Sequence, residues 1–353
     1  MKINTKFLSM LAVFALLAFV PLALAEKGGK GKPQPPAPPP TPVDPAIVYL
    51  AGSGDYYGDL MVMNADGSNR VMLLSDSKNL RNSEPSWSPD ASQIVFVRYV
   101  NGERWVSVID RDGQNLHSIL HLSPFPYSTP RWSPGLLADG KQKILFGDAP
   151  NSDGAKDLFL VNLDGTGLVN LTNTPDYDER MPTWNSDGTQ LAAMVVPVSD
   201  GGPADLIVYD VQYQDGVFAV GVNNNLTAEG PLKDVTVSRP SWAKTQDRIA
   251  VSVFIPDDPG DFDLWVIDVN DPTRPVRLTE TSNVREFWPD WSPDDTKIVY
   301  RRNGTWNRTV REKSGIFVMD AEGSEATGDS YPSDGYRPDW RRCCPTCDVM
   351  CAQ

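Results

Sequence analysis

Pro85-Ser86-Trp87-Ser88-Pro89-Asp90, followed by the apolar run Ile94-Val95-Phe96-Val97, is the stretch whose reading decides the fold, because it recurs. Five further tryptophans stand in the same setting: Pro130-Arg131-Trp132-Ser133-Pro134, Pro182-Thr183-Trp184-Asn185-Ser186-Asp187, Pro240-Ser241-Trp242, Pro289-Asp290-Trp291-Ser292-Pro293-Asp294 and Pro338-Asp339-Trp340. Their spacings are 45, 52, 58, 49 and 49 residues. An apolar run follows each of the first five, at residues 94–97, 144–146, 191–195, 249–251 and 298–300, with the length and content of a strand buried on both faces. A second strand then ends in an Asp, Asn or Gly turn, at residues 59–64, 105–110, 157–162, 205–210, 263–268 and 315–320. Asp66-Gly67, Asp112-Gly113 and Asp164-Gly165 accept the positive φ that a tight hairpin needs. A weaker outer strand, as at residues 168–172 and 276–279, brings the unit to four strands.

A four-stranded unit repeating at this period is a propeller blade. The first unit opens at Ile47-Val48-Tyr49-Leu50 without a Pro-x-Trp strand, and the last such strand, Pro338-Asp339-Trp340, has no unit after it. The expectation is an all-β, six-bladed β-propeller of four-stranded blades, closed by the C-terminal strand completing the first blade.

Pro-x-Trp-Ser-Pro-Asp followed by Ile-x-Phe resembles the WD40-like repeat of TolB-type six-bladed propellers, over residues 46–342. The resemblance implies that each Pro-x-Trp strand is the innermost of its blade. Trp87, Trp132, Trp184, Trp242, Trp291 and Trp340 are then structural plates packed between blades. It further implies that the residues three before each tryptophan, Glu84, Thr129, Met181, Arg239, Trp288 and Arg337, ring one mouth of the central channel. Six unlike residues suit asymmetric recognition of a peptide better than a symmetric ion site, with Trp288 and Arg239 as anchors; ordinary loop residues are the alternative. Asn185-Ser186, Ala243-Lys244 and Arg341-Arg342 depart from Ser-Pro, and the outer strand near residues 324–329 is degenerate.

Residues 1–25 carry Lys2, Lys6, an apolar run and Ala23-Leu24-Ala25, the pattern of a cleaved secretory signal. The rival is an uncleaved anchor, against which Pro21 and the Ala-x-Ala ending argue. Residues 26–45 hold eight Pro and three Lys and read as an extended, solvated tether. Residues 46–342 form the propeller and 343–353 a cysteine-rich tail. No later apolar stretch reaches membrane-spanning length, so the expected product is exported, to the periplasm or beyond the cell. Lys+Arg 32 against Asp+Glu 46 leaves a net charge of −14, which repels phosphate backbones and argues against nucleic-acid binding.

No catalytic constellation stands out. Ser53 between Gly52 and Gly54 reads as a loop, and no Gly-x-Ser-x-Gly elbow is present. His117 and His121 are the two histidines, and in an outer strand four residues span about 13 Å, too far to share a metal. The acidic loops at residues 257–263 and 176–179 offer oxygens that suit Ca²⁺ but lack EF-hand spacing, so no cofactor is expected. Cys343, Cys344, Cys347 and Cys351 admit disulfides within the tail, a disulfide to another chain, or a metal. The resulting expectation is a non-enzymatic module binding an envelope or extracellular protein or peptide. The alternative is a glycan- or peptide-binding or hydrolytic propeller using acidic loops and a divalent cation, and a third reading is a structural protein cross-linked through the cysteine tail.

Overall fold

A computed structural model describes residues 46–52, 57–124, 128–149, 155–199, 201–255, 261–281, 284–303, 314–323 and 335–342. The leader, the tether, the cysteine tail, Ser53, the acidic residues 257–258 and the segment 324–329 lie outside the described residues. The first sheet takes β1 (Ile47–Ala51), β2 (Asp59–Met63) and β3 (Val71–Leu74). The second holds β4 (Leu80–Trp87), β5 (Gln93–Val100), β6 (Glu103–Asp110) and β7 (His117–Leu122). The third holds β8 (Arg131–Trp132), β9 (Lys143–Asp148), β10 (Asp157–Asn162) and β11 (Val169–Asn170), and the fourth β12 (Tyr177–Trp184), β13 (Gln190–Pro197), β14 (Asp205–Gln214) and β15 (Val217–Asn225). The fifth set is β16 (Val237–Trp242), β17 (Arg248–Ile255), β18 (Asp261–Asp268) and β19 (Val276–Arg277); the sixth is β20 (Arg285–Trp291), β21 (Lys297–Asn303) and β22 (Gly315–Asp320). The last strand, β23 (Gly335–Trp340), leaves β22 and pairs with β1, giving the order β23-β1-β2-β3.

Two features depart from a strict repeat. Among the described residues the sixth set has three strands, and one parallel pair, Phe262 with Arg285, links it to the fifth in a single seven-stranded sheet. In the fourth set β14 and β15 run on past Asp210, where β13 ends its pairing, as a two-stranded ribbon. Asp215 and Gly216, at φ 54° and 82°, form its two-residue turn. The ribbon's Phe218 packs back against the third-set cluster that includes Leu137. This insertion is the reason for the longest tryptophan spacing.

The core is divided among the joints between sets. Trp87 packs with Val48, Leu60 and Phe96; Trp132 with Val95, Val106 and Phe159; Trp184 with Leu145, Leu160 and Leu191. Trp242 packs with Leu206, Val208 and Ile249, and Trp291 with Leu264 and Ile298. Trp340 joins Ile47 and Tyr49 to Val299 and Ile316, so β21 and β22 meet β1 and β23 across the same kind of joint. Each indole therefore touches apolar side chains of two sets, as the repeat reading expects.

Polar clasps cross the same joints. The residue before one tryptophan accepts from the backbone N–H of the next: Asp339 Oδ2 from Trp87 (2.8 Å), Thr183 Oγ1 from Trp242 (3.1 Å) and Asp290 Oδ2 from Trp340 (2.6 Å). The departures from Ser-Pro keep the turn by other means. Ser88 Oγ accepts from Gln93 N (2.9 Å), and Asn185 Oδ1 performs the same task for Gln190 N (3.1 Å). At Ala243-Lys244, Asp295 of the following set accepts from Lys244 N (2.7 Å) and Thr245 N (2.8 Å).

Candidate functional site

Glu84, Met181, Arg239, Trp288 and Arg337 lie inside β4, β12, β16, β20 and β23, and Thr129 just before β8. The structure brings all six to one cavity, together with Arg131, Asp290 and Asp339. Five of them are strand residues, and Thr129 lies two residues before its strand. The pairing of β4, β12, β16 and β20 skips register between Ser83 and Ser86, Arg180 and Thr183, Ser238 and Ser241, and Phe287 and Asp290. A bulge at each skip turns the residue before the proline inward. All six adopt left-handed backbone, with φ of 52°, 34°, 52°, 54°, 52° and 53° in chain order. Such a conformation costs a non-glycine residue on the order of 1–3 kcal/mol and persists where its surroundings enforce it. None of the six is Gly, so nothing in the residue types announces the conformation.

The six positions are not equally presented. Glu84, Thr129, Met181 and Arg337 are buried, whereas Arg239 and Trp288 are half-buried. Arg337 pairs with Glu84, and its guanidinium lies 5.1 Å from the Trp288 ring centre. Arg239 lies 4.5 Å from the same ring centre and 5.0 Å from the Phe287 ring. Two guanidiniums therefore lie within cation–π distance of Trp288. Arg337 and Glu84 support the indole from within, and Arg239 and Trp288 form the accessible surface.

A row of rings leads away from Trp288. Phe287 is 5.5 Å from it, Phe262 4.7 Å from Phe287, and Phe254 5.3 Å from Phe262. All four rings are half-buried. Sequence reasoning missed Phe254, Phe262 and Phe287; the available signal was two phenylalanines on adjacent strands, which pair directly in the β17–β18 ladder, and a third beside Trp288.

At the same cavity, Asp290 accepts from Ser241 Oγ (2.6 Å) and Lys244 Nζ (3.0 Å). Burial, reinforced by the charge of Asp290, pushes the Asp339 carboxyl above the usual carboxylate range, with Arg131 and Lys244 opposing it. Two further polar cells repeat at the joints. Glu179 accepts from Thr172 Oγ1 (3.3 Å) and from Thr174, and Thr172 also reaches Asp157 (3.3 Å). Burial, with the charge of Asp157 adding, pushes Glu179 up to about 7. In the second cell Glu286 accepts from Thr281 Oγ1 (2.7 Å) and Thr279 Oγ1 (3.5 Å), but Arg302 (3.5 Å) faces Glu286 and Arg277 pairs with Asp263. The signal for both cells was Leu-Thr-x-Thr at 171–174 and 278–281, each followed by Glu five residues after its last Thr.

The remaining predicted groups lie apart. His117 and His121 are exposed on β7, the first with Nδ1 2.8 Å from Asn115 O and the second edge-on to Trp105 at 4.8 Å. In the acidic segment 176–179, Asp178 is engaged by Lys156 (3.1 Å) and Arg180. Asp263 is taken by Arg277. Among the described residues no three His, Cys, Asp or Glu side chains converge as metal ligands, and no helix is long and apolar enough to cross a membrane.

No protein-family model and no curated protein matches the sequence. Solved structures match the fold. The chain is similar to TolB from Acinetobacter baumannii at 21% identity and a TM-score of 0.60, over 85% of this chain and 67% of that one. A TolB-type protein from Agrobacterium tumefaciens is similar at 14% identity and 0.52, over 84% and 98%. Oligogalacturonate lyase from Vibrio parahaemolyticus is similar at 12% and 0.50, over 77% and 74%. At these identities the likeness establishes architecture, and sheets of antiparallel strands opened by Pro-x-Trp fit it: the chain has the fold of a TolB-like β-propeller built from WD40-like repeats.

Proposed function

We propose that residues 46–342 form a closed, six-bladed, non-enzymatic propeller of an exported protein, and that its channel mouth binds a segment of an envelope or extracellular protein. The observation that carries the reading is the mouth itself: six side chains of five types held at equivalent left-handed positions around one cavity, two of them half-buried and the others buried. Spending strain at six equivalent places only to present different chemistry at each is the pattern of a recognition surface. Closure is supported by the joint at Trp340, which has the composition of the other five, and by the pairing of β23 with β1. Export is supported by the Lys2, Lys6 and Ala23-Leu24-Ala25 pattern.

The test is retention of an envelope protein by the immobilised full chain, compared with the double variant Trp288→Ala/Arg239→Ala. Loss of the retained protein with an unchanged melting curve supports the reading; equal retention by both overturns it. The fold likeness to a lyase favours a second reading, a glycan- or peptide-processing propeller with a divalent cation. Under it, chelation lowers the melting temperature or abolishes turnover, and neither change is expected for the binding module.

A further inference from the structure

The outer strand of each set leaves one edge of its sheet unpaired, and such a row of N–H and C=O groups recruits another strand unless it is short, charged or covered. The other described outer strands meet that condition. β11 and β19 are two residues long. Over β3 and β7 the turn of the following set closes: a Cβ on Gly113 would lie 3.5 Å from Leu73 O, and one on Gly165 2.5 Å from Ile119 O. β15 is the exception. It runs for nine residues, Val217–Asn225, without a charge or a proline. The corresponding approach of the following set falls beyond it, where a Cβ on Gly230 would lie 3.3 Å from Thr273 O. Val217 and Val222 are 56% and 71% exposed.

The parity of the ribbon decides which backbone groups face outward. Val211, opposite Val220, donates its N–H to Thr189 O (2.8 Å), away from β15. Val211 and Val220 are therefore a non-hydrogen-bonded pair of the β14–β15 ladder, and by alternation so are Tyr213 with Phe218 and Tyr209 with Val222. The N–H and C=O groups of Phe218, Val220 and Val222 consequently point away from β14. Among the described residues they have no backbone partner.

We propose that β15 pairs antiparallel with β15 of a second copy of this chain, about a twofold axis at Val220. In that register Val220 exchanges both hydrogen bonds with its own copy and Phe218 exchanges both with Val222, so every outward group of the two edges is satisfied. The same register sets Phe218 across from Val222 and Val220 across from Val220, aromatic and β-branched pairs of the kind that stabilise sheets. The skip in the ladder at Asn223 falls outside these pairs. Two chains of net charge −14 repel one another, so copies need an uncharged place to meet, and Val217–Asn225 supplies one. The tether does not fit the edge, because eight of residues 26–45 are Pro and lack the N–H that a ladder requires. A twofold contact consumes the edge it uses, so assembly stops at the dimer.

Sedimentation velocity tests the proposal on the full chain carrying Cys343→Ser, Cys344→Ser, Cys347→Ser and Cys351→Ser, a background in which the tail cannot cross-link. The expected result is a monomer–dimer equilibrium between about 1 and about 100 μM, since one strand pair buries less than a standard interface. Val222→Lys, which places a charge on the edge at an exposed position, should weaken the dimer about tenfold or more. Met72→Lys, the same change of charge at a residue of β3 that is 55% exposed, should leave it unaltered. A register test follows from the twofold axis. On oxidation Val220→Cys should give a disulfide-linked dimer, because Cα atoms of a hydrogen-bonded antiparallel pair lie about 5.5 Å apart. Val217→Cys, more exposed but about 20 Å from its copy, should not. Thermal melts check that each variant is folded. A monomer at every concentration overturns the proposal, even if another protein adds a strand at β15. So does a dimer that Val222→Lys leaves intact or Met72→Lys weakens equally, and so does equal cross-linking at the two cysteine positions.

Discussion

The six repeat tryptophans and the six residues three positions before them sit in the same strands or just before them, yet one series is a single residue repeated and the other spans five residue types. The tryptophans each fill a joint between sets, and the demand is the same at every joint because the same apolar surfaces meet there. The inward series shares only a backbone conformation. Bulge and proline fix where each side chain points, and packing does not fix which side chain it is. The fold therefore resides in the repeated series and recognition in the varied one, so substitutions in the two should fail differently.

The largest effect is expected in the repeated series. Trp340→Ala should cost ~3–5 kcal/mol in urea unfolding, the range for truncating a buried aromatic, and as much as Trp242→Ala. A markedly smaller cost at Trp340 would mean that the chain ends do not meet as the other joints do. In the varied series Glu84→Gln comes next. It leaves Arg337 buried without its carboxylate, with the two side chains 7% and 4% exposed in the pair, and losing one partner of a buried pair costs ~3–5 kcal/mol. Arg239→Gln, at the accessible side of the same indole, should cost ~1 kcal/mol or less. Equal losses at the two positions would erase the distinction between support and presented surface.

The two polar cells sharpen the comparison through pH. Glu179 is held at about 7 in the folded chain, above the ordinary 4.5, by burial first and then by Asp157. Between those values the folded chain binds a proton that the unfolded chain has released, so stability falls as pH rises through the window. Glu179→Gln should remove this slope and stabilise the chain at pH 8, with a ceiling of ~3 kcal/mol, while leaving stability at pH 4 unchanged. An unaltered pH profile would contradict the burial of that carboxyl. Glu286→Gln should do the opposite at neutral pH, because it removes the carboxylate that Arg302 faces. The smallest effect belongs to Thr129→Gly. Relief of left-handed strain at φ 34° offsets the entropy of glycine, so thermal unfolding should move by no more than ~1 kcal/mol in either direction.

What the sequence made legible follows the same division. Trp87 and its five counterparts announced the sets, the inner strands and the joints, since a recurring large residue records a recurring packing need. The pairing of β23 with β1 was readable from the unmatched strand at each end. The ribbon at 211–220 was not anticipated: Asp215-Gly216 is a hairpin signal, but it lies beyond the point where the repeat ends its strand. The six candidate mouth residues line one cavity, but their backbone conformation and their partners were not readable. Sequence position shows that Arg337 precedes a proline; it does not show that Glu84, 253 residues away, neutralises it. Phe254, Phe262 and Phe287 lie in different strands and become a surface only when β18 and β20 come side by side.

The most direct test of the central claim places photoreactive p-benzoylphenylalanine at position 288 of the full chain and, in a parallel sample, at Val222, which is 71% exposed on the outer strand β15. Both are irradiated in cell-envelope extract under reducing conditions. The account predicts a discrete protein adduct from position 288 that is absent from position 222. No adduct from 288, or the same adducts from both positions, would contradict it.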